Sequence, residues 1–173
     1  KSHAIFITTS MWIYNLVVRC YGGLIALAAL RNKKAAQWLA GRTNWQTQLA
    51  EQLNKAGEGN RVWIHCASYG EFEQGRPLIE AIIEKYPRHV IVLSFFSPSG
   101  YEAFKSWPGA HVICYLPLDT KKNAEDFLNL VKPNAAIFIK YEFWLNFLFE
   151  LQRRQVPSYL VSAVFKPHHP FFK

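Results

Sequence analysis

Arg61-Val62-Trp63-Ile64-His65-Cys66-Ala67-Ser68-Tyr69-Gly70-Glu71-Phe72-Glu73-Gln74-Gly75-Arg76-Pro77-Leu78-Ile79-Glu80-Ala81-Ile82 reads as three pieces. An apolar strand comes first, then a tight turn of small residues, then a helix with a glutamate in its first turn. In open α/β sheets, ligands collect in the crevice beyond the carboxyl ends of the strands, where such turns lie. Gly70 is expected to supply positive φ at no steric cost and to keep the backbone low beside a ligand. Glu71 then projects from a helix N-terminus, where negative charge is favoured. A carboxylate held there stays ionised and can accept a proton. Without further context, the default reading is that Glu71 only stabilises the helix start.

Outward from this stretch, strands and helices alternate. Strands are expected at 62–67, 90–95, 112–116, 135–139 and 158–162, and helices at 71–86, 98–107, 121–131 and 142–155. That alternation implies a parallel sheet covered on both faces. Unbroken apolar runs such as Val90-Ile91-Val92-Leu93 agree with strands buried on both sides. The fold class is therefore α/β, a Rossmann-like doubly wound parallel sheet. Right-handed crossovers give the order 3-2-1-4-5. Strands one and four then lie side by side, so Glu71 and Glu142 are expected to face one crevice.

Other residues gather at the same expected edge. Ser97-Pro98-Ser99-Gly100 has the form of a helix N-cap followed by proline at the first helical position. The same geometry offers backbone N–H groups to an anion, and the two readings are compatible. Arg76 and Lys140 are candidates for acidic groups on a ligand, against the plain alternative of a solvated or paired surface cation. His65 sits in an apolar strand and reads as a core residue. His168 and His169 are adjacent and have no third ligand, so no metal site is expected. No G-x-x-x-x-G-K-[ST] loop, G-x-G-x-x-G fingerprint or nucleophile elbow occurs.

The 173 residues suit one domain of ordinary size, and half of them are hydrophobic. The three cysteines lie in apolar runs without metal or redox spacing, which fits a reducing compartment. Net charge is +8, a bias toward polyanions. No nucleic-acid motif accompanies it, so an anionic membrane or a phosphorylated glycolipid is the better partner. Residues 11–30 are mostly apolar and long enough for a hydrocarbon core of about 30 Å. Arg31, Lys33, Lys34 and Arg42 follow, which by the positive-inside rule keeps the bulk of the chain cytoplasmic. The rival is a cleaved signal peptide, but the apolar stretch exceeds the usual signal core of about 7–15 residues. Asn15, Arg19 and Gly22 fall on one helical face. That stripe suits an interfacial helix or a span packed against protein, and the two stay open. Residues 1–10 are given no role. Residues 31–60 form a basic amphipathic helix, helical in pattern over 33–56, and a linker to the globular domain at 61–173.

The run Trp63-Ile64-His65-Cys66-Ala67-Ser68-Tyr69-Gly70-Glu71, with Arg76-Pro77-Leu78-Ile79 after it, resembles the first strand and turn of the 3-deoxy-D-manno-octulosonate (Kdo) transferases. These are glycosyltransferases of the GT-B fold that act on lipid A precursors. Ser97-Pro98-Ser99-Gly100 is similar to the family's T-P-T-G turn, Leu116-Pro117-Leu118-Asp119 to its Y-L-P-x-D segment, and Glu142-Phe143-Trp144-Leu145-Asn146 to its E-L-W-P-N. Leu145 departs from the family's common proline, which alters how the helix starts.

The resemblance implies that this chain is the acceptor-binding half of an inverting transferase. Kdo would pass from CMP-Kdo to lipid IVA at the cytoplasmic face of the inner membrane of a Gram-negative bacterium, within lipopolysaccharide biosynthesis. Glu71 would be the general base. Ser68, Gly70, Arg76, Ser97, Ser99, Gly100, Lys140 and Glu142 would meet the acceptor. No cofactor or metal is implied, and the donor would bind mainly through a second Rossmann-like domain absent from this chain, which alone is expected to be inactive. Two alternatives stand beside this reading: another membrane-associated GT-B transferase, and a non-enzymatic membrane-tethered α/β binding module.

Overall fold

Among the described residues, five parallel strands run through the centre in the order β3-β2-β1-β4-β5. The structure is a computed structural model that describes residues 2–140 and 143–161, with side chains from residue 11 onward. The strands are β1 (Arg61–Cys66), β2 (Val90–Phe95), β3 (Val112–Tyr115), β4 (Ala135–Ile139) and β5 (Ser158–Val161). The expected order is found, and β1 lies between β2 and β4, with His65 level with Ser94 on one side and Phe138 on the other.

Among the described residues, seven helices surround the sheet: α1 (Ser2–Ala28), α2 (Lys33–Ala40), α3 (Trp45–Ala56), α4 (Tyr69–Lys85), α5 (Pro98–Phe104), α6 (Lys121–Val131) and α7 (Leu145–Arg153). The pleat sends alternate side chains of each strand to opposite faces, so two cores form. On one face Trp63, Val92, Val112 and Phe138 meet α3, α6 and α7. On the other, Ile64, Cys66, Leu93 and Ile139 meet α4 and α5. Trp63 is fully buried, with its ring 5.0 Å from Phe127, 5.2 Å from Phe138 and 5.5 Å from Phe147. Its Nε1–H donates to the Ser94 hydroxyl at 2.8 Å, which satisfies the polar edge of an otherwise apolar ring.

Three local expectations are corrected. The segment expected to be one helix over 33–56 is two, separated at Gly41–Asn44. The apolar pattern runs across the break, where Gly41 ends α2 and Asn44 starts α3. A Cβ on Gly41 would fall 2.2 Å from the Tyr115 ring, and Asn44 turns left-handed at φ 54. Helix α4 begins two residues earlier than expected, at Tyr69, with Ser68 as its N-cap. Gly70 is therefore helical rather than at positive φ, and a Cβ there would meet nothing within 4 Å. Helix α7 begins at Leu145 rather than at residue 142.

Helix α1 is the one described helix long and apolar enough to cross a membrane. It does not project from the domain. Tyr14, Asn15, Val18 and Gly22 form a stripe turned toward the sheet's carboxyl edge, with Val18 buried and Gly22 against Leu118. Trp12, Ile13, Leu16, Val17, Leu24 and Leu27 face outward and are exposed. Of the polar stripe expected on this helix, Asn15 and Gly22 face the protein and Arg19 is exposed.

Candidate functional site

The turns after β1, β2, β3 and β4 lie together at the carboxyl end of the sheet. The β1 turn is organised by Glu71. One oxygen of its carboxylate accepts the backbone N–H of Ala67 at 2.5 Å, while the Phe72 N–H donates to the Ser68 carbonyl at 3.1 Å. The Ser68 side chain makes no cap hydrogen bond, so Glu71 secures the helix start in its place. That bond fixes the carboxylate's orientation at the mouth of the strand.

The β2 turn is tied to it directly. Ser97 N–H donates to Ala67 O at 2.7 Å. Ser97 caps α5 as expected, its hydroxyl accepting the Ser99 N–H at 3.3 Å, and Pro98 occupies the first helical turn. Gly100 is required by close approach. A Cβ there would lie 2.4 Å from the Phe95 ring and 3.1 Å from the Ser68 backbone carbon. Ser68, Gly70, Glu71, Ser97, Ser99 and Gly100 are thereby brought together.

The remaining sequence-predicted residues are placed differently. Arg76 lies on the exposed side of α4, more than a turn beyond Glu71, and donates to Glu80 at 2.8 Å. Lys140 immediately follows β4 in a left-handed conformation, φ 65, and its N–H donates to Val161 O at 2.8 Å. Extending the β1–β4 register sets Lys140 level with Ala67. Glu142, His168 and His169 lie outside the described residues. His65 is buried beneath the turns, its Nδ1 2.9 Å from the Ser94 hydroxyl and its ring against Trp144. A shallow groove lined by Leu53, Arg61, Asn129 and Lys132 lies at the opposite, amino-terminal end of the strands.

Two further residues organise the edge. Arg42 was expected in a juxtamembrane basic cluster, but its guanidinium turns inward. It donates to Phe96 O at 2.7 Å, Leu116 O at 2.9 Å and Trp38 O at 3.0 Å, and stacks 3.7 Å over the Trp38 ring. Burial lowers its pKa to about 9, which leaves it charged at neutral pH. Carbonyl dipoles and aromatic faces solvate that charge. Asp119 is fully buried after β3. It accepts the Asn146 and Phe147 N–H groups, each at 3.2 Å, and the Tyr14 hydroxyl. Burial pushes its pKa up to about 6, against the pull of these donors.

A sequence profile of the 3-deoxy-D-manno-octulosonic-acid transferase family matches residues 37–169. The chain belongs to the Kdo transferase family. It is 28% identical over 164 residues to a 3-deoxy-D-manno-octulosonic acid transferase of Haemophilus influenzae, covering 91% of this chain and 35% of that protein. With the transferase of Aquifex aeolicus, identity is 33% over 61% of this chain and 28% of the relative. With that of Chlamydia trachomatis it is 31% over 65% and 26%. The chain thus spans about a third or less of the length of these curated relatives.

Within this Kdo transferase domain, sequence reasoning gave Asp119 no role and misplaced Arg42. Their partners lie up to 105 positions away, so spacing carries no trace of them. The one available signal was a carboxylate in the apolar Leu116-Pro117-Leu118-Asp119 run, where an acid must find donors.

Proposed function

We propose that this chain is the acceptor-binding part of a membrane-bound transferase that moves Kdo from CMP-Kdo to a lipid A precursor such as lipid IVA. The observation that carries the reading is the position of Glu71. In a chain of the Kdo transferase family, its carboxylate is held at the carboxyl end of β1, beside the edge on which the apolar helix α1 docks.

The chemistry follows from what a hydroxyl needs. An acceptor sugar hydroxyl becomes a competent nucleophile as its proton leaves. Glu71 takes that proton while the hydroxyl oxygen bonds to the anomeric carbon of Kdo. The bond from that carbon to the CMP phosphate oxygen breaks, and CMP departs with the electron pair. A single displacement of this kind inverts the anomeric centre. The Ala67 N–H orients the Glu71 carboxylate, which is the proton acceptor. Ser68, Ser97, Ser99 and Lys140 line the acceptor side, and the resemblance gives Glu142 a role toward the same ligand. Gly70 leaves open space there, and Arg76 meets the periphery of a large phosphorylated headgroup. The outward apolar face of α1 rests in the cytoplasmic leaflet of the inner membrane, beside exposed Arg31, Lys33 and Lys34. This brings the site to the height of a lipid headgroup. The donor binds through the part of the relatives that this chain does not cover.

The test is transfer of Kdo from CMP-Kdo to lipid IVA by the intact protein and by Glu71→Gln. General-base catalysis is worth about 10²–10⁴-fold, so the variant should fold and lose at least 10²-fold in rate. Parental turnover in a folded Glu71→Gln protein would leave Glu71 as a helix-start carboxylate only.

A further inference from the structure

The contact between α1 and the rest of the domain is polar at its centre, although α1 is otherwise an apolar helix. The Tyr14 hydroxyl donates to Asp119, and in turn accepts the Leu145 N–H at 3.4 Å. The Asn146 side-chain amide donates to Asn15 Oδ1 at 2.9 Å and to the Asp119 carbonyl at 2.6 Å. The Asp119 carboxylate takes the next two N–H groups of α7. Helix α7 has no side-chain cap of its own, since its N-cap position is Trp144. Its first three N–H groups are therefore held by one residue of the membrane helix and one residue of the β3 turn. Where the family commonly has proline, Leu145 keeps an N–H, and Tyr14 is its acceptor.

What α7 begins with matters to the site. The Trp144 ring packs on Phe96 at 4.5 Å between centroids and edge-on to His65 at 5.9 Å. Phe96 immediately precedes Ser97, and His65 lies in β1 two residues before Ala67. Trp144 thus sits across the ends of β1 and β2, and its place is set by the first turn of α7. A buried carboxylate is also a poor choice if stability alone is at stake, because apolar packing of similar volume is often as good or better. Here burial disfavours the charged form, yet the carboxylate has three donors converging on it.

We infer that Tyr14, Asp119 and Asn146 are positioning residues through which the seated membrane helix fixes the start of α7 and, through Trp144, the ends of β1 and β2 that carry the acceptor site. The inference rests on the proposed transferase reading and deepens it: α1 is part of the site's scaffold as well as a tether. A tether alone would leave turnover untouched once the acceptor is brought to the enzyme in solution.

The test compares Tyr14→Phe, Asp119→Asn and, on the outward face, Leu24→Ala in the intact protein. Two readouts are needed: transfer from CMP-Kdo to detergent-dispersed lipid IVA, and amide exchange at residues 145–147. Hydrogen bonds to a charged group carry enough energy for about tenfold effects or more. Tyr14→Phe should speed exchange at 145–147 about tenfold and lower kcat by a similar factor, with KM for the acceptor little changed. Asp119→Asn should do more of both. Leu24→Ala should weaken binding to anionic phospholipid vesicles and leave kcat on the dispersed acceptor at the parental value. Parental exchange at 145–147 and parental kcat in Tyr14→Phe would overturn the inference, including where Asp119→Asn fails to fold. If the parental protein, with its donor-binding part present, transfers no Kdo, the proposed function falls. Unchanged exchange in Tyr14→Phe would then overturn the coupling separately.

Discussion

The Glu71 carboxylate accepts the backbone N–H of Ala67, four residues upstream, at 2.5 Å. One side chain therefore closes the β1 turn and, in the proposed reaction, serves as the base. The two roles separate by substitution. Glu71→Gln retains an oxygen for the Ala67 N–H, so its stability should stay within about 0.5 kcal/mol of the parent. Glu71→Ala removes the acceptor and should cost about 0.5–2 kcal/mol, as for loss of a helix cap. Both should lower transfer by at least about 10²-fold, to the same extent. Chemical unfolding alongside the transfer assay checks this, and equal stability of the two variants would show that the Ala67 bond contributes little.

Lys140 holds a left-handed backbone, φ 65, as the chain leaves β4. For a residue with a side chain this costs about 1 kcal/mol or more, and strained positions cluster at binding sites. Lys140→Gly relieves the strain, whereas Lys140→Ala keeps it. The glycine variant should be more stable than the alanine variant by about 1 kcal/mol in urea unfolding. If the ammonium meets acceptor phosphate, both should raise acceptor KM equally. A KM that follows stability instead of charge would assign Lys140 to the turn alone.

Arg42 and the basic residues after α1 are separable in the same way. Arg31, Lys33 and Lys34 are exposed, while Arg42 clasps the ends of β2 and β3 through Phe96 and Leu116. Neutralising each exposed residue should weaken binding to anionic vesicles by about 1 kcal/mol, a loss that high salt reproduces. Arg42→Ala should leave vesicle binding unchanged and destabilise the fold by about 2–4 kcal/mol, because it unpairs buried carbonyls and empties a packed site. Vesicle sedimentation and thermal unfolding read the two effects independently.

The sheet was legible because β1–β4 are largely apolar runs buried on both faces, and because helix lengths between the strands allow only crossover connections. Helix α6 was legible to the residue, since Thr120 caps it through the Asn123 N–H and Lys132 ends it left-handed at φ 48. The break at Gly41–Asn44 was not legible, because the amphipathic pattern runs unbroken across it and the left-handed turn at Asn44 leaves no mark in that pattern. Gly70 was misread for a related reason: a glycine before a helix looks the same whether it precedes the cap or lies inside the first turn. The β1 and β2 turns of the site were visible as local motifs. The junction of Tyr14, Asp119 and Asn146 was not: the sequence marked a polar stripe of Asn15, Arg19 and Gly22 on α1, but which residues of the β3 turn and α7 meet it is a tertiary fact.

Asp119 gives the domain a distinctive pH dependence. Its carboxyl is raised from 3.8 to about 6, chiefly by burial, while Tyr14 from α1 and the Asn146 and Phe147 N–H groups from α7 pull the other way. Between those two values the unfolded chain has released its proton and the folded chain still holds it. Stability therefore falls as pH rises through this window, and at about 1.4 kcal/mol per pH unit the loss is on the order of 3 kcal/mol. The contribution is fully present below about pH 4 and gone above about pH 6. Asparagine cannot titrate, so the stability of the parent relative to Asp119→Asn should decline by that amount from pH 4 to pH 7. Urea unfolding of both proteins across the range measures it, with the other carboxylates cancelling in the difference. A flat difference would mean that Asp119 titrates as in the unfolded chain, and that its donors fully offset its burial. A difference that rises with pH would mean that the Tyr14 and α7 donors dominate, making the junction strongest when the carboxylate is charged.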